Sequence, residues 1–165
     1  MLFRSHFNRQ PGVAAAAFEK NTRRFLTNMY RTRQWLETDE AQPAGGSIVQ
    51  FAEKDMLRGE LMMSEDELKV FIEAFEHSGF HAPCNWYRNF TRNWETTADV
   101  EQKVKQPALM IYGRYDMVPA LDISPWIADL ETHTLECGHW IQQEQPQETN
   151  RLLIDWLGRR MKPLY

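Results

Sequence analysis

The chain of 165 residues has the length of one domain, and 42% hydrophobic content suffices for a core, which excludes wholesale disorder. A formal charge of -4, with no lysine-rich or arginine-rich block, excludes nucleic acid and an acidic membrane surface as partners. No apolar run approaches the roughly 18 residues that cross a bilayer, the start MLFRSHFNRQPG lacks a signal-peptide core, and the two cysteines, Cys84 and Cys137, are too few for a disulfide framework; the expectation is a cytoplasmic protein with two free thiols.

In chain order, Ala14, Phe18, Phe25 and Met29 share one helical face with Leu26 beside it, so residues 12–36 read as one or two helices opened by Pro11 and Gly12. TDEAQPAGGSIVQ follows as a turn-rich loop punctuated by Pro43, Gly45 and Gly46. The sharpest helix start is SEDELKVFIEAFEHSG: Ser64 and Glu67 have capping-box spacing, and Asp66 suits the positive helix end. Leu68, Phe71, Ile72 and Phe75 form its expected buried stripe, ended by Gly79. NWYRNFTRNW reads as a further short helix with Trp86, Phe90 and Trp94 at spacings of four.

The pattern changes after residue 106. PALMIYG is a continuous apolar run between Pro107 and Gly113, the signature of a strand buried on both faces of a parallel sheet. SPWIADL is expected as a short helix, HTLEC as a second strand, and residues 146–159 as a closing helix with Leu152, Leu153, Trp156 and Leu157 inward. The tail is thus βαβα, an α/β pattern. Two parallel strands alone leave both edges unpaired, so the sheet reads as incomplete.

Asp116 and His139 each follow a strand, which places both at the carboxyl edge of the sheet, where open α/β folds bind ligands. A carboxylate on one ring nitrogen fixes the imidazole tautomer and leaves the other nitrogen to take a proton; on spacing alone, a surface aspartate in a turn and a structural histidine are the commoner explanation. Tyr87 is a second candidate: a phenol can donate to an oxygen that is becoming an alkoxide, although on the residues alone packing between Trp86 and Phe90 is the better explanation. His77 and His81 are separated by Gly79 and lack a third ligand of suitable spacing, so no zinc site is expected. Cys137 near His139 is a poor thiol nucleophile, and GGSIV around Ser47 is not a nucleophile elbow. Neither Gly-x-Ser-x-Gly nor Gly-x-Asp-x-Gly occurs in the chain.

NWYRNFTRNW, PALMIYGRYDMVPA and LECGHWIQQEQPQETNRLLIDWL, with QPGVAAAAFEKN before them, resemble in order and spacing the cap and C-terminal part of soluble epoxide hydrolases of the α/β-hydrolase fold. The resemblance implies a helical cap over residues 1–97 and the C-terminal part of the hydrolase core over residues 98–165. It also implies addition of water to an epoxide, giving a vicinal diol through an aspartyl ester, with no cofactor or metal. His139 would be the general base, Asp116 the acid that orients it, Tyr87 a donor to the epoxide oxygen, and Trp86 and Trp140 substrate contacts. The family's other tyrosine is replaced: FNRQPG puts Phe7 in its place, without a hydroxyl. The strands and the nucleophilic aspartate of the family's first half have no counterpart here, so the expectation is a truncated, inactive chain. The alternatives are a non-catalytic remnant that associates with itself, a partner or the missing N-terminal half, and a dehalogenase of the same fold, against which the tyrosine of NWYRN argues.

Overall fold

The structure is a computed structural model that describes residues 11–32, 48–55, 59–118 and 120–160. Phe7, Ser47 and most of the turn-rich stretch 38–50 lie outside them. The described residues form two compact units, the first up to Val100 and the second from Glu101 on, with Thr32 grouped with the second.

The first unit is helical. Gly12 stands in the left-handed region (φ 88°), open to glycine at no steric cost, and starts α1 (Val13–Glu19). Asn21 caps α2 (Thr22–Met29) by accepting the Arg24 N–H at 2.9 Å. Ala14, Phe18, Phe25 and Leu26 are buried as the spacing predicts. Phe18 stacks on Phe25 at 4.0 Å, and Phe80 meets both rings edge-on, an arrangement that suits the aromatic quadrupoles. The buried amide of Asn28 donates to the carbonyls of Phe51 and Lys54 at 2.8 and 3.0 Å, tying α2 to α3 (Gln50–Glu53).

α4 (Glu65–Ser78) opens on the expected capping box: the Glu67 N–H donates to Ser64 Oγ, and the Ser64 N–H donates to the Glu67 carboxylate. These bonds hold the Glu67 carboxyl below its usual range. Gly79 ends α4 at φ 68°, and Glu19 accepts the N–H of Phe80 next to it. The apolar stripe is shallower than its spacing suggests, with Leu68 fully buried and Phe71, Ile72 and Phe75 half-buried. NWYRNFTRNW forms two helices rather than one, α5 (His81–Arg88) and α6 (Phe90–Thr96). They meet at Asn89, whose side-chain amide and backbone N–H both donate to the Asn85 carbonyl.

In the second unit, β1 (Ala108–Gly113) pairs in parallel with β2 (Leu130–Leu135), with Ala108 opposite Leu130 and Gly113 opposite Leu135. Two expectations need correction. SPWIADL is not an α-helix but a single 3-10 turn, Ser124–Trp126, because Asp122 accepts the N–H and hydroxyl of Ser124 and Ile127 is drawn into an extended bridge with Val104. Neither strand is buried on both faces: every residue of β1 is half-buried, and β2 alternates toward solvent at Thr132 and Thr134.

The chain closes with α7 (Ile141–Glu144) and α8 (Pro146–Arg160), the latter packed against β1. Leu152 is buried and Trp156 half-buried on one stripe, whereas Leu153 and Leu157, one position round the helix, are exposed and not inward as expected. Arg159 and Arg160 bond Glu131 and Asp129, anchoring the end of α8 beside β2. Bonds from Arg159 and then His133 pull the Glu131 carboxyl down to about 2. No helix among the described residues is long and apolar enough to cross a membrane.

Candidate active site

The carboxyl ends of β1 and β2 continue as two interlocked turns. Past the last strand pair, the Arg114 N–H donates to the Leu135 carbonyl and the Tyr115 N–H to the Cys137 carbonyl at 3.0 Å. Arg114 and Tyr115 both bond the Glu136 carboxylate, which stitches the turns together at the surface and lowers the Glu136 pKa. The closeness of this contact depends on Gly113, since a Cβ there would fall 2.1 Å from the Gly138 carbonyl oxygen.

This geometry brings Asp116 and His139 together. His139 Nδ1 lies 2.8 Å from Asp116 Oδ1. A carboxylate in its ionised form only accepts, so a neutral imidazole bonded to it would carry its proton on Nδ1 and present Nε2 as an acceptor. The same Oδ1 accepts the N–H of Val118 at 2.8 Å, an Asx turn that fixes the carboxylate before the imidazole reaches it. The His139 side chain is 38% exposed, leaving the ring open on one side, while Asp116 at 19% is better shielded. The pair has the makings of a general base: an oriented imidazole with a free acceptor nitrogen.

The other site candidates lie as follows. Trp140 meets His139 edge-on at 5.1 Å. Tyr87 and Trp86 belong to the helical unit, on α5, where the Tyr87 ring packs edge-on against Phe90 at 5.7 Å and Trp86 is 74% exposed. Cys137 is fully buried, and its thiol is pushed up to about 11 by burial first, then by Glu144, Asp116 and Glu136. It is no nucleophile despite its place two residues from His139. The buried Cys84 thiol is raised too, mainly by burial. Folded protein should therefore react with Ellman's reagent at pH 8 at least about tenfold more slowly than unfolded chain, a comparison that titration with and without denaturant makes directly. Among the described residues, no group of three or more His, Cys, Asp or Glu side chains could hold a metal ion. A groove of about 590 Å³ beside Tyr112, Leu121, Ile127 and Leu130 does not include the Asp116–His139 pair.

Two contributors escape a reading of the sequence. Gly113 is visible there only as a strand terminator, and Glu144, which bonds the backbone around His139, sits in the polar run QQEQ with no local signal of its use.

No family model matches the chain. Over 156 residues it is 36% identical to bifunctional epoxide hydrolase 2 of Sus scrofa, a match covering 90% of this chain and 28% of that protein. Over 106 residues it is 40% identical to epoxide hydrolase B of Mycobacterium tuberculosis, covering 58% of this chain and 29% of that protein. In fold it is similar to epoxide hydrolase A from Mycobacterium thermoresistibile, with a TM-score of 0.79 and 27% identity, over 96% of this chain and 52% of that one. An epoxide hydrolase from an endophytic Streptomyces gives a TM-score of 0.77 at 34% identity, over 95% and 51%. The chain thus spans about half the length of these solved structures and under a third of the two sequence relatives.

Proposed function

We propose that this chain, related in sequence and fold to part of the epoxide hydrolases of the α/β-hydrolase fold, carries the general-base half of an epoxide-hydrolase site. The substrate class is a small-molecule epoxide. In this reaction an aspartate opens the ring and forms an ester, and water then hydrolyses the ester to a vicinal diol. His139 Nε2 takes the proton from that water, and Asp116 stabilises the imidazolium that results. Tyr87 donates its hydroxyl to the oxygen that becomes an alkoxide, and Trp86 and Trp140 contact the substrate. The nucleophile lies on a segment other than this one, since the sequence contains no Gly-x-Asp-x-Gly.

The observation that supports this reading is the 2.8 Å contact between Nδ1 and Oδ1, with Asp116 itself clamped by the Val118 N–H. The experiment is nitrogen NMR of the His139 ring. Wild-type protein should show the Nδ1–H tautomer in large excess, and Asp116→Ala should return it to the mixture of a free imidazole. A ring that favours Nε2–H in the wild type, or that ignores the substitution, defeats the assignment.

A further inference from the structure

His139 lies between a strand and a helix and belongs to neither, so no strand ladder or helical turn fixes its backbone. The backbone amides of the residues before and after it are held from one side. The Gly138 N–H donates to Glu144 Oε2 at 2.9 Å, and the Trp140 N–H donates to Glu144 Oε1 at 3.2 Å. Each carboxylate oxygen takes one of the amides on either side of the histidine, so the side chain spans the turn as a two-point clamp. Glu144 reaches these positions because α7 turns the chain back: its own backbone N–H donates to the Trp140 carbonyl at 2.9 Å, which stacks residue 144 under residue 140. The side chain is half-buried, and Gly138 and Cys137 are buried beside it. Charge-assisted bonds in such surroundings are stronger than neutral ones.

We propose that Glu144 is a positioning residue for the general base, fixing the amides of Gly138 and Trp140 on either side of His139 so that its imidazole meets Asp116 in the Nδ1–H form. The proposal rests on the general-base reading above and names the residue that sets its geometry. Glu144 touches neither substrate nor the reacting atoms. Its effect runs through the backbone of residues 138–140 to the ring.

The test uses the whole chain with Glu144→Ala and Glu144→Gln. Two quantities are read: amide exchange at Gly138 and Trp140, and the tautomer of the His139 ring by nitrogen NMR. The amide of Glu67 in the α4 capping box serves as the control for an intact fold. In Glu144→Ala, exchange at both amides should rise about tenfold or more, the loss expected for a bond to a charged acceptor. The ring should also lose its Nδ1–H preference while Glu67 keeps its protection. Glutamine retains one acceptor oxygen, so Glu144→Gln should leave one of the two amides protected and rescue most of the tautomer preference.

A folded Glu144→Ala protein with the wild-type tautomer overturns the proposal and leaves the general-base reading standing. A wild-type ring without the Nδ1–H form overturns both. If Glu144→Ala does not fold, Glu144→Gln decides alone, because both amides protected as in the wild type would show that no carboxylate clamp exists.

Discussion

Purified alone, the 165-residue polypeptide is expected to convert styrene oxide to its diol no faster than a protein-free control. A positioned general base contributes typically about 100-fold to 10,000-fold to a reaction whose other groups are in place. On the function proposed above, the covalent path has no starting point, because the chain contains no Gly-x-Asp-x-Gly to supply the ester-forming carboxylate. On that proposal His139 would activate a water that has no ester to attack. The second deficit compounds the first: Phe7 offers no hydroxyl where the family resemblance calls for a second tyrosine, and loss of one oxyanion donor costs roughly 100-fold or more in other enzymes. Gas chromatography of the diol at high protein concentration sets the bound. Turnover well above the control that vanishes in His139→Ala would mean that another group in this chain serves as nucleophile. Turnover indifferent to His139 would point to a contaminating enzyme.

How much of this was readable in advance follows the range of the interactions. Ser64, Glu67 and Gly79 bracket α4 in the sequence as they do in the structure, because caps are satisfied within a few residues. The strand core of PALMIYG was equally plain, and so was the placement of Asp116 and His139 just beyond strand ends. The misreadings come where a distant or side-chain contact overrules local pattern. Ser124–Trp126 has a helical look, yet the bridge from Val104 to Ile127 holds the chain extended directly after it. Asn89 stands where a run of well-spaced aromatics divides, its side-chain amide sharing the Asn85 carbonyl with its own backbone N–H. Leu153 and Leu157 are apolar, but a helix resting on two strands buries only a narrow stripe, and Leu152 and Trp156 occupy it. Glu144 was invisible for the simplest reason: a glutamate in a polar run reveals its partners only when the turn it clamps is seen.

Gly113→Ala should destabilise the protein by roughly 3 kcal/mol, at the upper end of overpacking effects, and uncouple Asp116 from His139 in the same step. The added methyl group would sit 2.1 Å from the Gly138 carbonyl oxygen and 2.9 Å from that of Cys137. Both atoms are backbone, so no rotamer change relieves the clash. The Cys137–Gly138 backbone, with both of its carbonyls, would have to retreat by about 1 Å to reach ordinary contact, and that segment is held on several sides. Its neighbours are the Tyr115 and Leu135 backbone bonds to Cys137 and the Glu144 bond to Gly138. A hydrogen bond that starts at 2.8 Å survives little of such a shift once the angle degrades as well. Gly158→Ala is the natural control, since a Cβ at that position in α8 meets nothing within 4 Å. There the change replaces glycine inside a helix and should stabilise by about 0.5–1 kcal/mol. Urea unfolding of the two variants should therefore move in opposite directions, with loss of the His139 Nδ1–H signal in Gly113→Ala alone. Equal midpoints for the wild type and Gly113→Ala, with the ring signal unchanged, would show that the two turns do not interlock as closely as Gly113 requires.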